Sequence, residues 1–276
     1  MIVAKLIGGL GNQLFQYAAA YNLAAIHNTD LKLDLSEFDL YELHKYSLHH
    51  FNFLQKFITT DELNELKEVK EKHYHYDDSF MSFGNDIVLR GYWQSERYFQ
   101  ESAEALRDGF QLKSDLSVES LKIAELIGQV NSVSLHIRRG DYAIGTYSDQ
   151  ILDQLDLAYY FRAIEELAKD QKDIIFFIFS DDHDWVKKTL IIDFPVLYVD
   201  HNNADANFED LYLMSLCKHN IIANSSFSWW GAWFNKNQFK KVYAPRNWFN
   251  ANVKNINDKD LIPLNWHKIA AKPDGK

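Results

Sequence analysis

The stretch Val133-Ser-Leu-His-Ile-Arg-Arg-Gly-Asp-Tyr142 decides how we interpret the chain, because an alternating apolar run leads directly into two adjacent arginines and a glycine. The alternation predicts a β-strand over residues 133–137. Arg138 and Arg139 then lie at the strand end, where two guanidinium groups offer rigid, permanently charged donors that match a carboxylate or a phosphate. His136 lies two residues before Arg138, on the same strand face. The pattern favours an anion-binding site over a solvated turn.

Strand and helix patterns alternate along the rest of the chain. A continuous apolar run at 174–179 is typical of a strand buried on both faces of a parallel sheet, and a helix is predicted over 157–169 before it. One helix is predicted from a capping box at Thr59 and Glu62 through Lys72. Shorter strands are predicted at 2–7, 31–35, 87–89, 196–199, 219–223 and 241–244. The alternation predicts α/β domains with parallel sheets, whose ligands bind at the carboxyl ends of strands.

The chain has 276 residues, of which 47% are hydrophobic, and this length favours two domains. We predict them at 1–115 and 116–276, with the polar stretch 112–120 as their connection. A formal net charge of −10 argues against a nucleic-acid surface, which needs an excess of lysine and arginine. Any basic site is therefore expected to be local.

Localisation is predicted from what the sequence lacks. The single cysteine, Cys217, excludes an internal disulfide and is typical of a reducing compartment. The start Met1-Ile-Val-Ala-Lys-Leu6 has no long apolar core of a signal peptide, and no run of about 18 apolar residues occurs. We therefore expect a cytoplasmic protein without a transmembrane segment.

The first predicted strand ends in Gly8-Gly-Leu-Gly11, which opens a helix and leaves backbone amides for an anion or a polar ligand. A dinucleotide-binding loop would need a third glycine where this chain has Leu14, but Asp34 lies about twenty residues on, where a ribose-binding acid would lie. An NAD-dependent Rossmann oxidoreductase therefore stays an alternative. Asn12 and Gln13 are interpreted equally well as helix caps or as ligand-binding residues.

Three clusters contain residue types that bind metals. The histidines and acids at 73–78 lack a helical His-x-x-x-His spacing and are more typical of a surface loop. The Asp-x-Asp pairs at 182–184 and 258–260 match the pattern with which one class of glycosyltransferase holds a metal and a nucleotide diphosphate. The first pair is equally explained by a helix N-terminus, which favours acids. We predict no metal site.

Two later stretches also follow strand ends. Asn207 and Asp210 suit the cap and third positions of a helix predicted to run through Cys217. Residues 224–231, Asn-Ser-Ser-Phe-Ser-Trp-Trp-Gly, form a polar turn before an apolar helix, and its amides and hydroxyls suit phosphate oxygens. This turn, the glycine loop and the arginine pair all lie at predicted carboxyl ends of strands.

Together these motifs resemble those of the bacterial α-1,2-fucosyltransferases, glycosyltransferase family eleven. The resemblance covers nearly the whole chain: Gly8-Gly-Leu-Gly-Asn-Gln-Leu-Phe-Gln-Tyr17, Gly91-Tyr-Trp-Gln-Ser95, His136-Ile-Arg-Arg-Gly-Asp-Tyr142, Glu209-Asp-Leu211 and Ile222-Ala-Asn-Ser-Ser-Phe-Ser-Trp-Trp230. The His-x-Arg-Arg segment is shared with other GDP-fucose enzymes, and the Ser-Phe-Ser-Trp-Trp segment is specific to this family.

The resemblance implies a GT-B-like fold, in which two Rossmann-like domains with parallel sheets face each other across a cleft. The C-terminal domain would bind GDP-β-L-fucose, the N-terminal domain would lie on the acceptor side, and no metal or other cofactor would be required. Fucose would pass, with inversion, to the 2-hydroxyl of a β-galactoside, within a lipopolysaccharide or capsule repeat. A lipid-linked acceptor would bring the enzyme into peripheral membrane contact. A non-catalytic carbohydrate-binding protein is the remaining alternative.

The resemblance also assigns roles to residues. Arg138 would contact the β-phosphate and act in catalysis, with His136 and Arg139 supporting the donor and Asp210 reading guanine. Further donor contacts would come from Gly11, Asn12, Gln13, Ser225, Ser226 and Phe227, and acceptor-side contacts from Trp93 and Gln94. Inversion calls for a carboxylate base near the acceptor hydroxyl. Among Asp141, Asp149 and Asp153 we favour Asp141, whose alternative role is a salt bridge that fixes Arg139.

Overall fold

The structure is a computed structural model that describes residues 1–39, 43–139, 152–153, 155–250, 252–253 and 256–270. The chain forms two compact units, one of residues 1–115 with 256–263 and one of residues 116–255 with 264–276. The predicted division assigned 256–263 to the second domain, whereas the structure assigns this segment to the first unit. Asp260 contributes to this placement, since its carboxylate accepts from the backbone N of Tyr76 at 3.2 Å and its carbonyl accepts from Ser95 at 2.8 Å.

The first unit contains a four-stranded parallel sheet in the order β2-β1-β4-β3. The strands are β1 (Ile2–Lys5), β2 (Leu31–Asp34), β3 (Lys67–Lys70) and β4 (Ile87–Arg90), and the helices are α1 (Leu10–Ile26), α2 (Thr60–Asn64) and α3 (Ala103–Gly109). The apolar residues of β1 are buried, as expected for a central strand covered on both faces.

The helix predicted through Lys72 is wrong. Its capping box forms between Thr59 and Glu62, but α2 ends at Asn64, and Lys67–Lys70 instead pairs in parallel with β4 as an edge strand. Pairing with β4 outweighs the helix propensity of the Glu and Lys residues, because propensity is a weak preference that tertiary contacts override. The charged, exposed side chains of β3 suit a sheet edge, where they discourage pairing with other chains.

The second unit contains a six-stranded parallel sheet in the order β10-β9-β8-β5-β6-β7. The strands are β5 (Asn131–Ile137), β6 (Ile174–Ser180), β7 (Val196–Tyr198), β8 (His219–Ile221), β9 (Val242–Pro245) and β10 (His267–Ile269). The helices are α4 (Val118–Gln129), α5 (Leu157–Ala168), α6 (His183–Thr189), α7 (Asn207–Leu216) and α8 (Ser226–Phe234). The strands and helices predicted for this half are confirmed, with small shifts at their ends.

Apolar clusters cover both faces of the second sheet. On one face Leu135 of β5 belongs to a buried cluster with Val186 of α6, and on the other face Phe177 of β6 belongs to a cluster with Met214 of α7. Alternate side chains of a strand point to opposite faces, so His136 points to the face of α7. The two parallel α/β units confirm the predicted fold class. None of the helices within the described ranges is long and apolar enough to cross a membrane.

Candidate active site

The order of the strands reverses beside β5. From β5 the chain continues to β6 and β7 on one side of the sheet, and then forms β8, β9 and β10 on the other side. Open parallel sheets bind ligands at the carboxyl ends of strands where the order reverses. Arg138 follows β5 and Ser225 follows β8, and these strands are paired neighbours. Two of the predicted donor-binding loops therefore meet where a ligand is expected.

His136 is buried at this position. It is 7% exposed, and its ring centroid lies 5.8 Å from that of Phe227, the second residue of α8. Burial lowers the pKa of His136 to about 4, an effect that Asp181 opposes and the charge of Arg138 reinforces. Its Nδ1 is buried and makes no hydrogen bond to a described residue. A neutral imidazole with an unused ring nitrogen is suited to hydrogen-bond a polar ligand at neutral pH.

The two arginines have different surroundings. The guanidinium of Arg139 lies 3.7 Å above the ring of Trp185 in α6, and its Nε lies 3.3 Å from Oδ2 of Asp182. Arg138 is half-buried beside His136, whose pKa its charge lowers. Arg139 is therefore held by α6, while the charge of Arg138 acts on His136.

Ser225 caps helix α8. Its buried side chain accepts a hydrogen bond from the backbone N of Phe227 at 3.3 Å, so the predicted turn role is confirmed. A hydroxyl that accepts one hydrogen bond can still donate one to a ligand. The N–H groups of the first helical turn, which begins at the half-buried Ser226, also carry the partial positive charge of a helix N-terminus. This end of α8 is suited to phosphate oxygens.

Asp210 lies on α7 but does not cap it. The residue at the cap position is Ala206, with no side-chain cap bond, so the capping interpretation of Asn207 and Asp210 is wrong. Asp210 instead accepts a hydrogen bond from Nδ2 of Asn202 at 2.7 Å. Burial raises the pKa of Asp210 to about 7. The hydrogen bond from Asn202 lowers this pKa, and the charge of Glu209 raises it further. The carboxylate is thus available for a role beyond helix capping.

Sequence reasoning missed the polar residues around Asp210. Asn202 lies in the loop that follows β7, and Glu209 is a buried acid that accepts from Oγ of Ser117 at 2.6 Å and so holds the start of α4. The polar run at 200–203 directly after a predicted strand was the available signal, because ligand-binding residues of parallel sheets follow strand ends.

In the first unit, the glycine loop after β1 opens α1. The cap residue is Gly9, with no side-chain cap bond, so neither residue predicted as a cap has that role. Gln13 is fully buried, and its amide donates to the carbonyls of Gly8 at 2.8 Å and Lys45 at 2.9 Å and accepts from the backbone N of Ser47 at 2.8 Å. These bonds give Gln13 a structural role, in which it holds segment 45–47 against the loop.

Asn12 contacts a residue of the predicted acceptor side. Its Oδ1 accepts a hydrogen bond from Nε2 of Gln94 at 2.9 Å, and Gly11 lies beside it in the first turn of α1. Trp93 is 1% exposed and has a φ of 55°, a left-handed conformation that is strained for a bulky residue. Its indole nitrogen makes no hydrogen bond to a described residue. The structure therefore brings Asn12 and Gln94 together beside a strained turn.

Glu71 holds this turn, a role that was not predicted from the sequence. Its carboxylate accepts from the backbone N of Tyr92 at 2.7 Å and of Trp93 at 3.0 Å. Burial raises the pKa of Glu71 to about 7, and the two backbone hydrogen bonds oppose this. A Cβ on Gly91 would lie 2.3 Å from Cβ of Glu71, so only glycine fits. No pattern in the sequence singles out Glu71 among the neighbouring glutamates and lysines.

The predicted base falls outside the described residues. Asp141 and Asp149 both lie within 140–151, for which the structure gives no description. Asp153 is described: its backbone N donates to the carbonyl of Trp248 at 3.1 Å, and its own carbonyl accepts from Asn224 at 2.6 Å. These bonds place residue 153 beside the loop between β8 and α8.

Comparison with known families decides the class of the protein. The profile of glycosyl transferase family 11 matches residues 1–270. The chain belongs to glycosyl transferase family 11. It is similar to two proteins of Escherichia coli. An α-1,2-colitosyltransferase is 33% identical over 98% of this chain and 99% of the relative, and the O-antigen biosynthesis glycosyltransferase WbnK is 33% identical over 90% of this chain and 95% of the relative. A galactoside 2-α-L-fucosyltransferase of Caenorhabditis elegans is 26% identical over 97% of this chain and 78% of the relative.

A solved structure shares the fold of this family 11 glycosyltransferase. A variant of Arabidopsis thaliana FUT1 in complex with GDP superposes with a TM-score of 0.53, covering 89% of this chain and 70% of that chain at 10% identity. At this identity the likeness shows the fold alone. The predicted GT-B-like fold class is confirmed.

Family membership overturns both alternatives from the sequence, the NAD-dependent oxidoreductase and the non-catalytic carbohydrate-binding protein. The geometry around the glycine loop agrees. Asp34, the candidate ribose-binding acid, accepts from the backbone N of Ser36 at 2.9 Å and lies 3.6 Å from Nζ of Lys5. Leu14, at the position of the absent third glycine, is buried in the core.

Both Asp-x-Asp pairs of this family 11 enzyme contain an acid with a structural partner. Asp182 caps α6 by accepting from the backbone N of Trp185 at 3.1 Å, as predicted, and Asp260 makes the bonds within the first unit described above. The rings of His73 and His75 stack with centroids 3.7 Å apart. Within the part of the chain that the structure describes, no group of three His, Cys, Asp or Glu side chains could hold a metal ion. Metal independence stays a prediction.

Proposed function

We propose that this enzyme transfers L-fucose from GDP-β-L-fucose to the 2-hydroxyl of a β-galactoside, with inversion, and forms an α-1,2-fucosyl linkage. The observation that carries the proposal is the convergence of Arg138, His136 and Phe227 at the strand-order reversal of the second sheet. A guanidinium, a neutral imidazole and a helix N-terminus together suit the diphosphate of a nucleotide sugar. The name of the Caenorhabditis elegans relative, a galactoside 2-α-L-fucosyltransferase, supports a galactoside as the acceptor and its 2-hydroxyl as the position of the new linkage.

Arg138 would act on the leaving group. When the bond between fucose C1 and the β-phosphate oxygen breaks, negative charge accumulates on the departing GDP. A guanidinium held in place before the reaction stabilises that charge more strongly in the transition state than in the ground state. His136 would add a hydrogen bond to the donor, with Arg139 supporting the loop through Trp185 and Asp182.

Asp210 would read the guanine base. Its two carboxylate oxygens can accept from the two neighbouring N–H groups on the Watson–Crick edge of guanine, one of which only guanine offers. Such bonds favour the ionised carboxylate and would lower the pKa of Asp210 from about 7 when the nucleotide binds. Ser225, Ser226 and Phe227 would surround the phosphates through the N-terminal turn of α8.

Asn12, Gln94 and Trp93 would contribute from the first unit, where the Asn12 and Gln94 side chains are already hydrogen-bonded. Gly11 would contribute backbone beside them, and Asp141 would take the proton of the acceptor hydroxyl. These assignments follow the family resemblance. The hydrogen bond between Asn12 and Gln94 supports them, because it joins two of the predicted residues.

GDP-colitose is a second candidate donor, since an α-1,2-colitosyltransferase is 33% identical over nearly the whole chain. Colitose is L-fucose without its 3-hydroxyl group. A site that hydrogen-bonds this hydroxyl would reject colitose strongly, whereas an apolar site would reject fucose only weakly. The ratio of kcat/KM values for the two donors therefore reports which sugar the site is built for.

A donor panel tests the proposal. Purified enzyme would be assayed with GDP-fucose, GDP-colitose and GDP-mannose against lactose, with the product linkage assigned by NMR. We expect the highest kcat/KM with GDP-fucose and an α-1,2 linkage to galactose. A higher kcat/KM with GDP-colitose would favour the second donor. Transfer from neither donor to any of a series of galactosides would overturn the proposal.

A further inference from the structure

Hydrogen bonds connect the loop after β7 with Asp210 on α7 and with the start of α4. Nδ2 of Asn202 donates to Oδ1 of Asp210 at 2.7 Å and makes a second, longer contact with Oγ of Ser120 at 3.4 Å. Ser120 lies in the first turn of α4 and is fully buried, and its Oγ is hydrogen-bonded to Nε2 of His201 at 2.8 Å. Asn202 therefore joins the carboxylate of Asp210 to a buried position on another helix.

This arrangement fixes the orientation of the Asp210 carboxylate. The terminal torsion of an aspartate side chain has a broad energy minimum, so an isolated carboxylate takes a range of orientations. The hydrogen bond from Asn202 to Oδ1 restricts this torsion. Each carboxylate oxygen has two lone pairs, so Oδ1 can accept from Asn202 and from a ligand at the same time, and Oδ2 can accept a second bond from the ligand.

The charge of Glu209 makes the bond from Asn202 more important. Burial would raise the pKa of Glu209, but hydrogen bonds from Ser117 and Ser120 outweigh burial and lower it, so Glu209 is ionised at neutral pH. Burial and the charge of Glu209 both raise the pKa of Asp210, whereas the hydrogen bond from Asn202 lowers it. Asn202 thus opposes the two effects that favour protonation of Asp210.

The elements packed against α7 leave few other charges near Asp210. Helix α8 has no titratable side chain, and His201, in the loop after β7, lowers the pKa of Glu209. The titratable groups of α4 and of the turn before α7 are exposed, so that solvent screens their charges: Glu119, Lys122, Glu125 and Asp205. Asn202 and Glu209 are therefore the neighbours that we expect to control the charge state of Asp210.

We propose that Asn202 is a positioning residue for recognition of the nucleotide base, and that it holds the Asp210 carboxylate where both oxygens accept N–H groups of guanine. This inference rests on the proposed function, in which Asp210 reads guanine. Hypoxanthine lacks the 2-amino group of guanine and offers one N–H group where guanine offers two. A site built to accept both groups rejects the base that lacks one, so the preference for GDP over IDP measures how well the carboxylate is placed.

Calorimetry of the full chain with GDP and with IDP tests the inference. At about pH 8 we expect the parent to prefer GDP by roughly 10–100-fold, the effect of one hydrogen bond to a charged group. Asn202→Leu should lose most of this preference. Without its hydrogen bond, the pH below which GDP affinity falls should also rise by about one to two units from the parental value.

Steady-state kinetics separate this role from one in the chemical step. In Asn202→Leu we expect the KM for GDP-fucose to rise while kcat at saturating donor stays near the parental value, because Asn202 acts on the base and not on the leaving group. Asn202→Gln keeps an NH₂ donor on a longer side chain. Its preference for GDP should lie between those of the parent and the leucine variant, and it provides a second test if the leucine variant does not fold.

The matched control is Asn203→Leu, which changes the neighbouring amide of the same loop. Asn203 accepts hydrogen bonds from the backbone N of Asp205 at 3.0 Å and of Ala206 at 3.1 Å. Losing this cap should lower the melting temperature but leave the preference for GDP and its pH dependence unchanged.

Two kinds of failure can be told apart. Parental preference and pH dependence in a folded Asn202→Leu variant, or equal losses in Asn203→Leu, would overturn the inference while the parent still prefers GDP. A parent that binds GDP and IDP equally would overturn the reading of guanine by Asp210, and the role of Asn202 with it.

Discussion

Lysine in place of Arg138 would keep the positive charge but lose the planar fork of donors that a diphosphate accepts at two points. We expect turnover with GDP-fucose to fall by roughly 10²–10³-fold, the effect of losing one donor aimed at transition-state charge. The KM for the donor should change less, because the contact strengthens as charge develops. Steady-state kinetics and melting curves on Arg138→Lys measure both effects.

The control for this substitution is Arg107→Lys, in helix α3 and outside every motif. It should keep parental turnover. Near-parental turnover in both variants, with normal melting, would mean that Arg138 does not act on the leaving group, and the mechanism above would be wrong.

Because the pKa of Asp210 is raised, we expect the affinity for GDP to depend on pH. With its pKa raised to about 7 by burial, the carboxylate is ionised above this pH and protonated below it. Since only the ionised form accepts both guanine N–H groups, affinity for GDP should be retained above about pH 7 and fall about tenfold per unit below it. Calorimetry at about pH 8 and about pH 6 measures the change, and Asp210→Asn should bind weakly with a smaller dependence. An identical dependence in parent and variant would assign it to another group.

At the scale of elements, Glu71 joins the end of β3 to the turn after β4 through the two backbone N–H groups of Tyr92 and Trp93. Glu71→Gln would turn one acceptor oxygen into an NH₂ donor that faces a backbone N–H. We expect the free energy of unfolding to fall by about 1–3 kcal/mol, the effect of leaving one buried donor unsatisfied. Because the turn contains Trp93 and precedes Gln94, the two residues predicted on the acceptor side, we also expect the KM for the acceptor to rise. The KM for GDP-fucose should stay unchanged.

The matched control is Glu68→Gln, three residues earlier on the same edge strand. Its carboxylate forms exposed ion pairs with Lys70 at 3.4 Å and Arg90 at 3.5 Å, and such pairs contribute little to stability. Denaturant unfolding and acceptor titrations compare the two variants. A rise in KM for both substrates alike, or equal effects of the two substitutions, would show that Glu71 does not position the acceptor side.

The comparison of β3 with β6 explains which elements could be predicted. β6 is apolar at every residue before its last, Ser180, and burial on both faces of a parallel sheet is the environment that such a run requires. β3 consists of lysines, a glutamate and one valine, a composition equally compatible with the end of a helix. Only its pairing with β4 makes it a strand, and the pairing depends on residues about twenty positions away.

For the whole molecule we predict turnover without a metal ion. The described residues contain no cluster of metal ligands, and Asp182 is engaged by Arg139 and by the start of α6. The cationic side chain of Arg138 would supply the charge that a metal supplies elsewhere. We therefore expect EDTA to leave the rate unchanged in a transfer assay. Loss of activity with EDTA and its recovery with Mn²⁺ would make Asp182 and Asp184 candidate metal ligands. Arg138 would then have a smaller role in stabilising the leaving group.

The sequence by itself determined the family, the two α/β units and the loops that follow strands, because motif spacing and apolar runs are local properties of the chain. Only the tertiary structure decided what individual side chains do. Gln13 binds the backbone of 45–47, and Glu71 binds the turn after β4. Asp210 accepts a hydrogen bond from Asn202 instead of capping α7, and Arg139 stacks on Trp185. Each of these roles depends on how deeply the side chain is buried and on a partner that the fold brings beside it. The local sequence pattern encodes neither the burial nor the partner.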